Sequence, residues 1–525
     1  MKEGFRQAMA WLHTWAGLIF GWLLFAIFLT GTLSYFKSEI THWTQPEVPY
    51  RPVDSTASLN LAQAYLQKNA ATAAHWYIQL PTAREPSLRV GWRAANAGRR
   101  DFSEKTLDPA TGNELHARDS RGGEFFYRFH FQLQMPHPWG RWLSTFCALM
   151  MLVGLVTGII THKKIFKEFF TFRPAKGQRS WLDGHNAIGV LVLPFHLMIS
   201  YSSLVIFMAM VMPASINAMY GDDVQAYYND LFSRVEPARP SGTAAPLISL
   251  AQVYAQVREQ APGSDVNWIE VQNPGDLNAR VRLDRSASEG IAVNRGASWL
   301  YDGVQGTLLS GIKGQSTPSV IAAGLYGLHM GHFAGPTLRW LYFVFGLAGT
   351  AVIGTGLVMW LGKRQLKHAK SGTQPFELRL VEVLNIASMS GLVVAVAAFF
   401  WANRLLPVAL EGRADWEINS FFIAWGLALL HALLRPGRRA WGEQLMLAAV
   451  LFAGLPLLNA LTTDTGLHHS IAQGDWLIAG LDLTALGCGL FLAWVAAKML
   501  RPPVLAPKRA ARTPKAAPLI ESGVQ

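Results

Sequence analysis

The sequence predicts an α-helical integral membrane protein of about eight spanning helices, with two small α+β domains outside the bilayer and an internal duplication of a helix–domain–helix unit. Three observations carry this reading. Of 525 residues, 51% are hydrophobic and only 15% charged, where a soluble chain carries about a quarter charged residues. Eight stretches approach the roughly 20 apolar residues needed to cross a bilayer. Two long polar connections separate the first four stretches and repeat the same features in the same order.

The eight stretches are Trp15–Phe36, Trp142–Thr161, Ile188–Pro213, Trp340–Leu361, Leu380–Trp401, Ile418–Leu434, Leu445–Leu461 and Leu477–Leu500. The first is too long for a signal peptide and no A-x-A site follows it, so it reads as an uncleaved anchor. Lys+Arg exceed Asp+Glu by 46 to 34, but the basic residues do not spread over one soluble face, and no nucleic-acid partner is expected. They gather at Lys2/Arg6, at Lys163, Lys164, Lys167, Arg173, Lys176 and Arg179, at Lys363, Arg364, Lys367 and Lys370, at Arg435, Arg438 and Arg439, and from Lys498 to Lys515. Every second connection is thus basic, which places both termini and these loops in the cytoplasm. The two cysteines, Cys147 and Cys488, each lie in an apolar run, which excludes a disulfide framework and a Cys-based zinc or iron–sulfur site.

The chain divides into a first span (1–37), an outer domain (38–140), a second span (141–162) and a basic loop (163–184). A third span (185–213), a second outer domain (214–338) and a fourth span (339–362) complete the duplicated part. An appended four-helix module (375–500) and a basic, Pro/Ala-rich tail (501–525), read as disordered, follow. In the first outer domain Leu61–Gln67 reads as helix, Trp76–Leu80 and Leu88–Trp92 as strands, and Asp108–Gly112 as a turn. The second repeats the order with Leu250–Gln256, Asn267–Val271, Ala279–Leu283 and Asp302–Gly306. The spans repeat too: His13-x3-Gly17 matches His185-x3-Gly189, and His130 before Arg141-Trp142-Leu143 matches His329 before Arg339-Trp340-Leu341. Both copies start and end on one side, so they are parallel repeats about an axis near the membrane normal. The last four spans match neither copy.

Ligating side chains inside spans are functional suspects. His13, His185 and His196 lie in or at the mouth of spans, His162 ends span two, and His130 and His329 lie just outside spans two and four. A lone histidine there is more often an interfacial or hydrogen-bonded one, but four of these six are repeat-paired. In each His-x3-Gly the glycine falls one turn away on the same face, leaving room for a flat macrocycle whose iron the imidazole can reach, although Gly17 and Gly21 also fit simple helix packing. His185 and His196 are eleven residues apart, about three turns or roughly 16.5 Å of rise in a continuous helix, a spacing that suits two stacked haems. His137 and His332 could replace His130 and His329. His468-His469 reads as polar loop and His431 as a lone packing residue. A proton or metal transporter is a competing reading, but spans one to four have almost no Asp or Glu, Asp183 and Glu39 lying at the edges.

Leu12-His13-x3-Gly17 with Thr30-Gly31, Gly140-Arg141-Trp142 with Val156-Thr157-Gly158, Trp181-x3-His185-x3-Gly189, and Arg339-Trp340 with Thr355-Gly356-x2-x-Trp360 together resemble the PepSY-associated transmembrane family of iron-regulated inner-membrane proteins, over about residues 1–370. The outer domains look like PepSY domains. The better-understood relatives are di-haem ferric-siderophore reductases, and spans five to eight depart from their four-helix form. The resemblance implies a bacterial inner-membrane oxidoreductase holding two haem b groups, carrying electrons to the periplasm and reducing a ferric siderophore so that ferrous iron is released. The donor would be a quinol or a cytoplasmic flavoprotein. No C-x-x-C-H motif is present for covalent haem attachment. Symmetry pairs His13 with His185 and His130 with His329, whereas the span-three stripe offers His185 and His196 with His13, His162 or His329 as partners. His13, His185 and His329 rank first, then His196 and His130, then His162. The competing class is a non-enzymatic membrane sensor or inhibitor acting through its PepSY-like domains.

Overall fold

The computed structural model describes residues 3–501 except 52, 96, 99–100, 163–168, 170–172, 175, 233–237, 293–297, 313–315 and 370–374. Lys2, Lys163, Lys164, Lys167, Lys370 and the tail from 502 onward lie outside the described residues.

Among the described residues, seven helices are long and apolar enough to cross a membrane: Gly4–Ser34, Trp139–Thr161, Pro336–His368, Phe376–Leu405, Arg413–Leu434, Arg438–Thr462 and Trp476–Leu500. The bent pair Gln178–Leu191 and Leu193–Ile206 is long and apolar enough only when taken together, and counts as the eighth span if it is one. The predicted third span therefore needs correction. It begins earlier than Ile188, ends at Ile206, and is bent by 66° at Val192. Pro194, in the first turn of the second half, supplies the reason, since it has no N–H to continue the ladder and its ring clashes with the preceding turn. His185 and His196 consequently lie on two differently directed helices, and the stripe drawn through them does not exist.

Span one is the hub of the duplicated part, packing against spans two and four. The first half of span three packs on span four and the second half on span two. Gly21 is a packing glycine, because a Cβ there would meet Leu357 of span four at 2.8 Å. Span five packs on span one through a π-helical turn, Ala387–Gly391. On the other side of the module, helix α1 (Lys37–Thr44) packs against the start of span eight, where the buried His42 Nε2 lies 2.9 Å from Asp475 Oδ2 and Trp43 donates to Asp482 at 2.8 Å.

The two outer domains were expected as separate units, but they form one antiparallel sheet of seven strands in the order β3-β2-β1-β4-β5-β6-β7. Strands β1 (Ala73–Gln79), β2 (Leu88–Ala94) and β3 (Ser103–Leu107) come from the first copy. Strands β4 (Val266–Gln272), β5 (Arg280–Arg285), β6 (Ser298–Asp302) and β7 (Leu308–Ser310) come from the second. The copies join at β1 and β4, with Trp76 opposite Val271 and Ile78 opposite Ile269. Helices α2 (Ser55–Asn69) and α3 (Leu250–Gln260) cover one face, burying Leu59, Leu66, Val253 and Val257 over Ile78 and Ile269 in a single core. Alternation of buried and part-exposed residues along β1 and β4 is what an antiparallel sheet covered on one face requires. Gln63 stitches the copies together, donating to the Ile248 carbonyl at 3.0 Å and accepting from Leu250 N at 2.8 Å.

The repeated turns are alike atom for atom. Asp108 accepts from Ala110 N and Thr111 N, and Asp302 from Val304 N and Gln305 N. Each turn closes on a glycine with positive φ, Gly112 at 74° and Gly306 at 71°, a backbone region that glycine enters without steric cost.

Candidate functional site

His13 in span one and His185 in the first half of span three meet edge to face, with ring centroids 6.4 Å apart and planes at 81°. Each is held through Nδ1 by an equivalent part of the partner span. His13 Nδ1 lies 2.9 Å from the Gly154 carbonyl and 3.3 Å from Thr157 Oγ1. His185 Nδ1 lies 3.1 Å from the Val352 carbonyl and 3.0 Å from Thr355 Oγ1. Gly158 and Gly356 make room for the rings, since a Cβ at either would sit 3.3 and 3.5 Å from the Cε1 of His13 and His185.

A second pair lies toward the sheet. His130 is on helix α4 (Gly122–Gln132) and His329 on helix α5 (Thr317–Met330), each of which leads into a span. Their ring centroids are 6.1 Å apart and the planes are inclined by 39°. His130 Nδ1 lies 2.8 Å from the Ile27 carbonyl, and His329 Nδ1 lies 2.9 Å from Ser202 Oγ. Gly31 lets the His130 ring approach span one.

The backbone anchors obey the repeat: Ile27, which serves His130, follows His13 by fourteen residues, and Ile199, whose backbone serves His329, follows His185 by fourteen. Ser202, the hydroxyl at His329, has the offset of Thr30 in the first copy, where Thr30 bonds its own helix instead. In all four histidines the hydrogen bonds are made at Nδ1, and among the described residues no protein hydrogen bond is made to Nε2. A backbone carbonyl or hydroxyl on one ring nitrogen fixes the tautomer and orients the other as a ligand.

The chemistry of this donor set can be tested against a metal held between two imidazoles. An imidazole nitrogen binds a first-row metal at about 2 Å and lies about 1.1 Å from its ring centre, so two trans ligands have centroids about 6 Å apart. Both observed pairs meet that separation. At Gly17 and Gly189 a Cβ would find no protein atom within 4 Å, so both glycines border open space beside the inner pair. Among the described residues no three His, Cys, Asp or Glu side chains converge as a metal site, which leaves pairs of histidines as the available ligands.

The remaining candidates fall elsewhere. His196 is completely buried between the two pairs, with its ring 5.8 Å from Phe28 and Nε2 3.3 Å from the Phe345 carbonyl. A Cβ on Gly349 would come within 2.6 Å of that Nε2, so the facing helix closes on that edge of the ring, while Nδ1 is buried and has no hydrogen-bond partner among the described residues. His162 caps the end of span two through its N–H to Gly158 O. His137 and His332 are exposed in the turns after α4 and α5. His468 and His469 are exposed on the short helix Leu467–Gln473. His431 is not a lone packing residue: it bonds Glu443 at 3.1 Å and Gln444 at 3.2 Å.

Sequence reasoning quoted Thr30-Gly31, Thr157-Gly158 and Thr355-Gly356 as motifs without giving them work. The hydroxyls at Thr157 and Thr355 brace the inner histidines, and the glycines admit the rings. The other missed feature is a buried ion pair in which Arg339 donates to Glu39 at 2.9 Å, with Arg84 on the same carboxylate at 2.8 Å. Its repeat partner Arg141 instead bonds Gln132, so the copies differ in charge beside their outer histidines.

A family model, described as PepSY-associated TM region, matches residues 10–363. An uncharacterised protein of Pseudomonas aeruginosa is 26% identical over 377 residues, spanning 69% of this chain and 92% of its own.

Proposed function

The chain belongs to the PepSY-associated TM region family, and from that premise we propose that it carries electrons across the bacterial inner membrane through two haem b groups, one held by His13 and His185 and the other by His130 and His329. Its termini would be cytoplasmic and its sheet periplasmic, where a ferric siderophore is the acceptor and ferrous iron the product. The observation that supports this most is the recurrence of one arrangement at two depths. Each depth has two imidazoles with ring centroids about 6 Å apart, each tied at Nδ1 and free of protein hydrogen bonds at Nε2.

When bound, haem supplies a one-electron couple whose potential follows its axial ligands and their surroundings. The protein's own part is positional. Thr157 and Thr355 with the carbonyls of Gly154 and Val352 hold the inner imidazoles fixed in orientation. Ile27 and Ser202 do the same for the outer pair. His196, sealed by Phe28 and Gly349, fills the space between the two levels and excludes water there. At the sheet side, a ferric ion bound by hard oxygen ligands loses much of its affinity on becoming ferrous, so reduction is also release.

The test is an absorbance spectrum of the purified protein with haem stoichiometry by acid-acetone extraction. A Soret band and two extractable haems per chain are expected. His13→Ala and His185→Ala should each remove about one equivalent, and His130→Ala and His329→Ala the other. Protein purified from haem-replete cells without a Soret band would end this reading and favour a non-enzymatic role for the sheet domains.

A further inference from the structure

The appended module carries two polar layers. Toward the sheet, Arg404, Asn403, Arg413, Glu417, Asn459 and Asp482 are buried and bonded among themselves and to the first outer domain. Toward the terminal side, a second layer contains Ser390, His431, Glu443 and Gln444. Along span five the thirteen residues from Ser390 to Asn403, about 19.5 Å of helix, include no charged, amide or hydroxyl side chain between those two. The layers are therefore not linked along that span as a channel. The outer layer is closed on itself, whereas the inner layer opens to the bilayer.

His431 on span six and Glu443 on span seven are 3.1 Å apart, with side chains 36% and 32% exposed. Leu427 and Leu434 on span six and Leu447 on span seven are at least half exposed beside them, so the pair looks out among lipid-facing leucines. Arg435 bonds the other carboxylate oxygen at 3.1 Å. On the protein side Gln444 Nε2 donates to the Ala428 carbonyl at 2.7 Å and lies 3.2 Å from His431 Nδ1. With Gln444 as donor, Nδ1 accepts and the Nε2 proton is directed at Glu443, a tautomer assigned from the network.

Gln444 Oε1 in turn accepts from Ser390 at 2.8 Å, within the π-helical turn Ala387–Gly391. Such turns inside α-helices occur frequently at functional sites, and the buried Ser388 hydroxyl in this one has no partner. Just before it, Asn385 accepts from Trp22 Nε1 at 2.8 Å. Trp22 lies nine residues beyond His13 on span one. A His–carboxylate pair open to lipid is thus braced on the same π-turn that packs against the helix carrying the inner histidine pair. An interfacial ion pair serving only as a membrane anchor has no use for this inward bracing.

We propose, building on the electron-transfer reading, that His431 and Glu443 form the binding and deprotonation site for a membrane quinol that donates electrons to the inner histidine level. One of its two hydroxyl groups would meet the pair and its apolar tail would lie along the exposed leucines. Oxidation breaks both O–H bonds and turns both ring C–O bonds into C=O. Glu443 accepts the proton of the hydroxyl it meets and releases it to water beside Arg435, while the proton of the para hydroxyl passes directly to water at the membrane surface. The two electrons would leave singly, one at a time, for the one-electron carrier that His13 and His185 would hold. His431, fixed by Gln444, is a positioning residue that orients the carboxylate.

The test uses full-length protein in detergent and decylubiquinone as the probe. Calorimetric titration should give saturable binding, with Kd raised tenfold or more in Glu443→Gln and His431→Ala and unchanged in Ser420→Ala on the exposed face of span six. Haem content and melting temperature of the near-isosteric Glu443→Gln should equal wild type. Anaerobic reduction of the Soret chromophore by decylubiquinol should slow at least tenfold in both variants while dithionite reduces all proteins alike. Wild-type protein that contains haem but binds no decylubiquinone, or variants that bind it as wild type does, would overturn the site. Reduction by a cytoplasmic flavoprotein without quinone binding is one form of that result. Binding without haem would instead defeat the electron-transfer reading and leave a quinone site.

Discussion

The His130 ring lies so close to Gly31 that a methyl group on Gly31 would stand 2.5 Å from its Nδ1 and 2.6 Å from its Cε1. The imidazole is caught between this glycine and the Ile27 carbonyl one turn earlier, and neither the ring nor the helix backbone can yield without losing the hydrogen bond. Gly31→Ala should therefore displace His130, with an overpacking cost of about 1–3 kcal/mol, and reduce occupancy of the outer haem while sparing the inner one. Haem per chain and the low-spin spectrum measure this. Unchanged stoichiometry in Gly31→Ala would remove His130 from the ligand set.

Thr157 and Thr355 make the same contact in two copies at different lengths, 3.3 Å to His13 and 3.0 Å to His185. Loss of a hydroxyl that orients a ligand costs about 10–100-fold in metal affinity. Thr355→Val should weaken inner haem retention by about that factor and by more than Thr157→Val does. Competition with apomyoglobin gives the rate of loss, and equal rates in both variants would contradict the geometry.

The shared sheet predicts a covalent link between the copies. Gln79 and Trp268 are directly opposed on its uncovered face, and opposed Cβ atoms in an antiparallel pair are about 4.5–5.5 Å apart. A Gln79→Cys/Trp268→Cys double variant should oxidise to a disulfide, visible as two joined fragments after a protease site in the 163–168 segment is cut. Gln79→Cys paired with Asp302→Cys, three strands away in the sheet order, should stay separable.

Asp276 gathers the loop before α3 onto the sheet. Hydrogen bonds from Ser241 N, then Asn278 N, Ser241 Oγ and Gly242 N hold its carboxyl below the ordinary 3.8, at about 2. A pKa lower in the folded state means the stabilisation is fully present above about 3.8 and is lost as pH falls toward 2. Asp276→Asn should lower the melting temperature of the full protein at pH 7, and the gap from wild type should close between pH 4 and 2. A gap that stayed constant across that window would show that the carboxylate charge is not what holds the loop.

Arg413 and Glu417 are wholly sealed from solvent and bonded to each other across one helical turn. Removing one partner of a buried pair costs about 3–5 kcal/mol, whereas replacing both with apolar residues of similar size is often neutral. Glu417→Ala should sharply lower thermal stability in detergent, and Arg413→Met/Glu417→Met should recover most of it. A double variant as unstable as the single one would assign the energy to Asn403 and Ser120, which also bond Glu417.

Much of this was readable from one sequence because span length, basic loops and the repeat are local signals. The D-x-x-x-G turns were readable for the same reason, since Asp and Gly supply their own capping and their own left-handed backbone. Pairing between copies was not readable. Ile78 and Ile269 are 191 residues apart, and nothing local says which edge of one domain meets the other. Proline was an incomplete guide, for Pro194 breaks span three while Pro456 sits inside span seven without ending it. The sequence ranked six histidines by their place in the repeat without showing what each one meets. What separates them is the ring nitrogen that the facing helix takes, Nδ1 for His13 and His130 and Nε2 for His196, which also lies against Phe28.

The stagger of the two histidine levels has an electrical meaning. The carbonyl that anchors His130 lies fourteen residues beyond His13 on one helix, about 21 Å of rise in a hydrocarbon layer about 30 Å thick. A charge moved through the whole layer exchanges about 2.3 kcal/mol with the membrane for each 100 mV, so an electron passing from the inner to the outer level exchanges about 1.6 kcal/mol. In the proposed direction, from a negative interior outward, that work favours the transfer. Each turnover would draw down the voltage slightly, and the same protein in vesicles should pass electrons faster when the membrane is energised than when an ionophore has collapsed it.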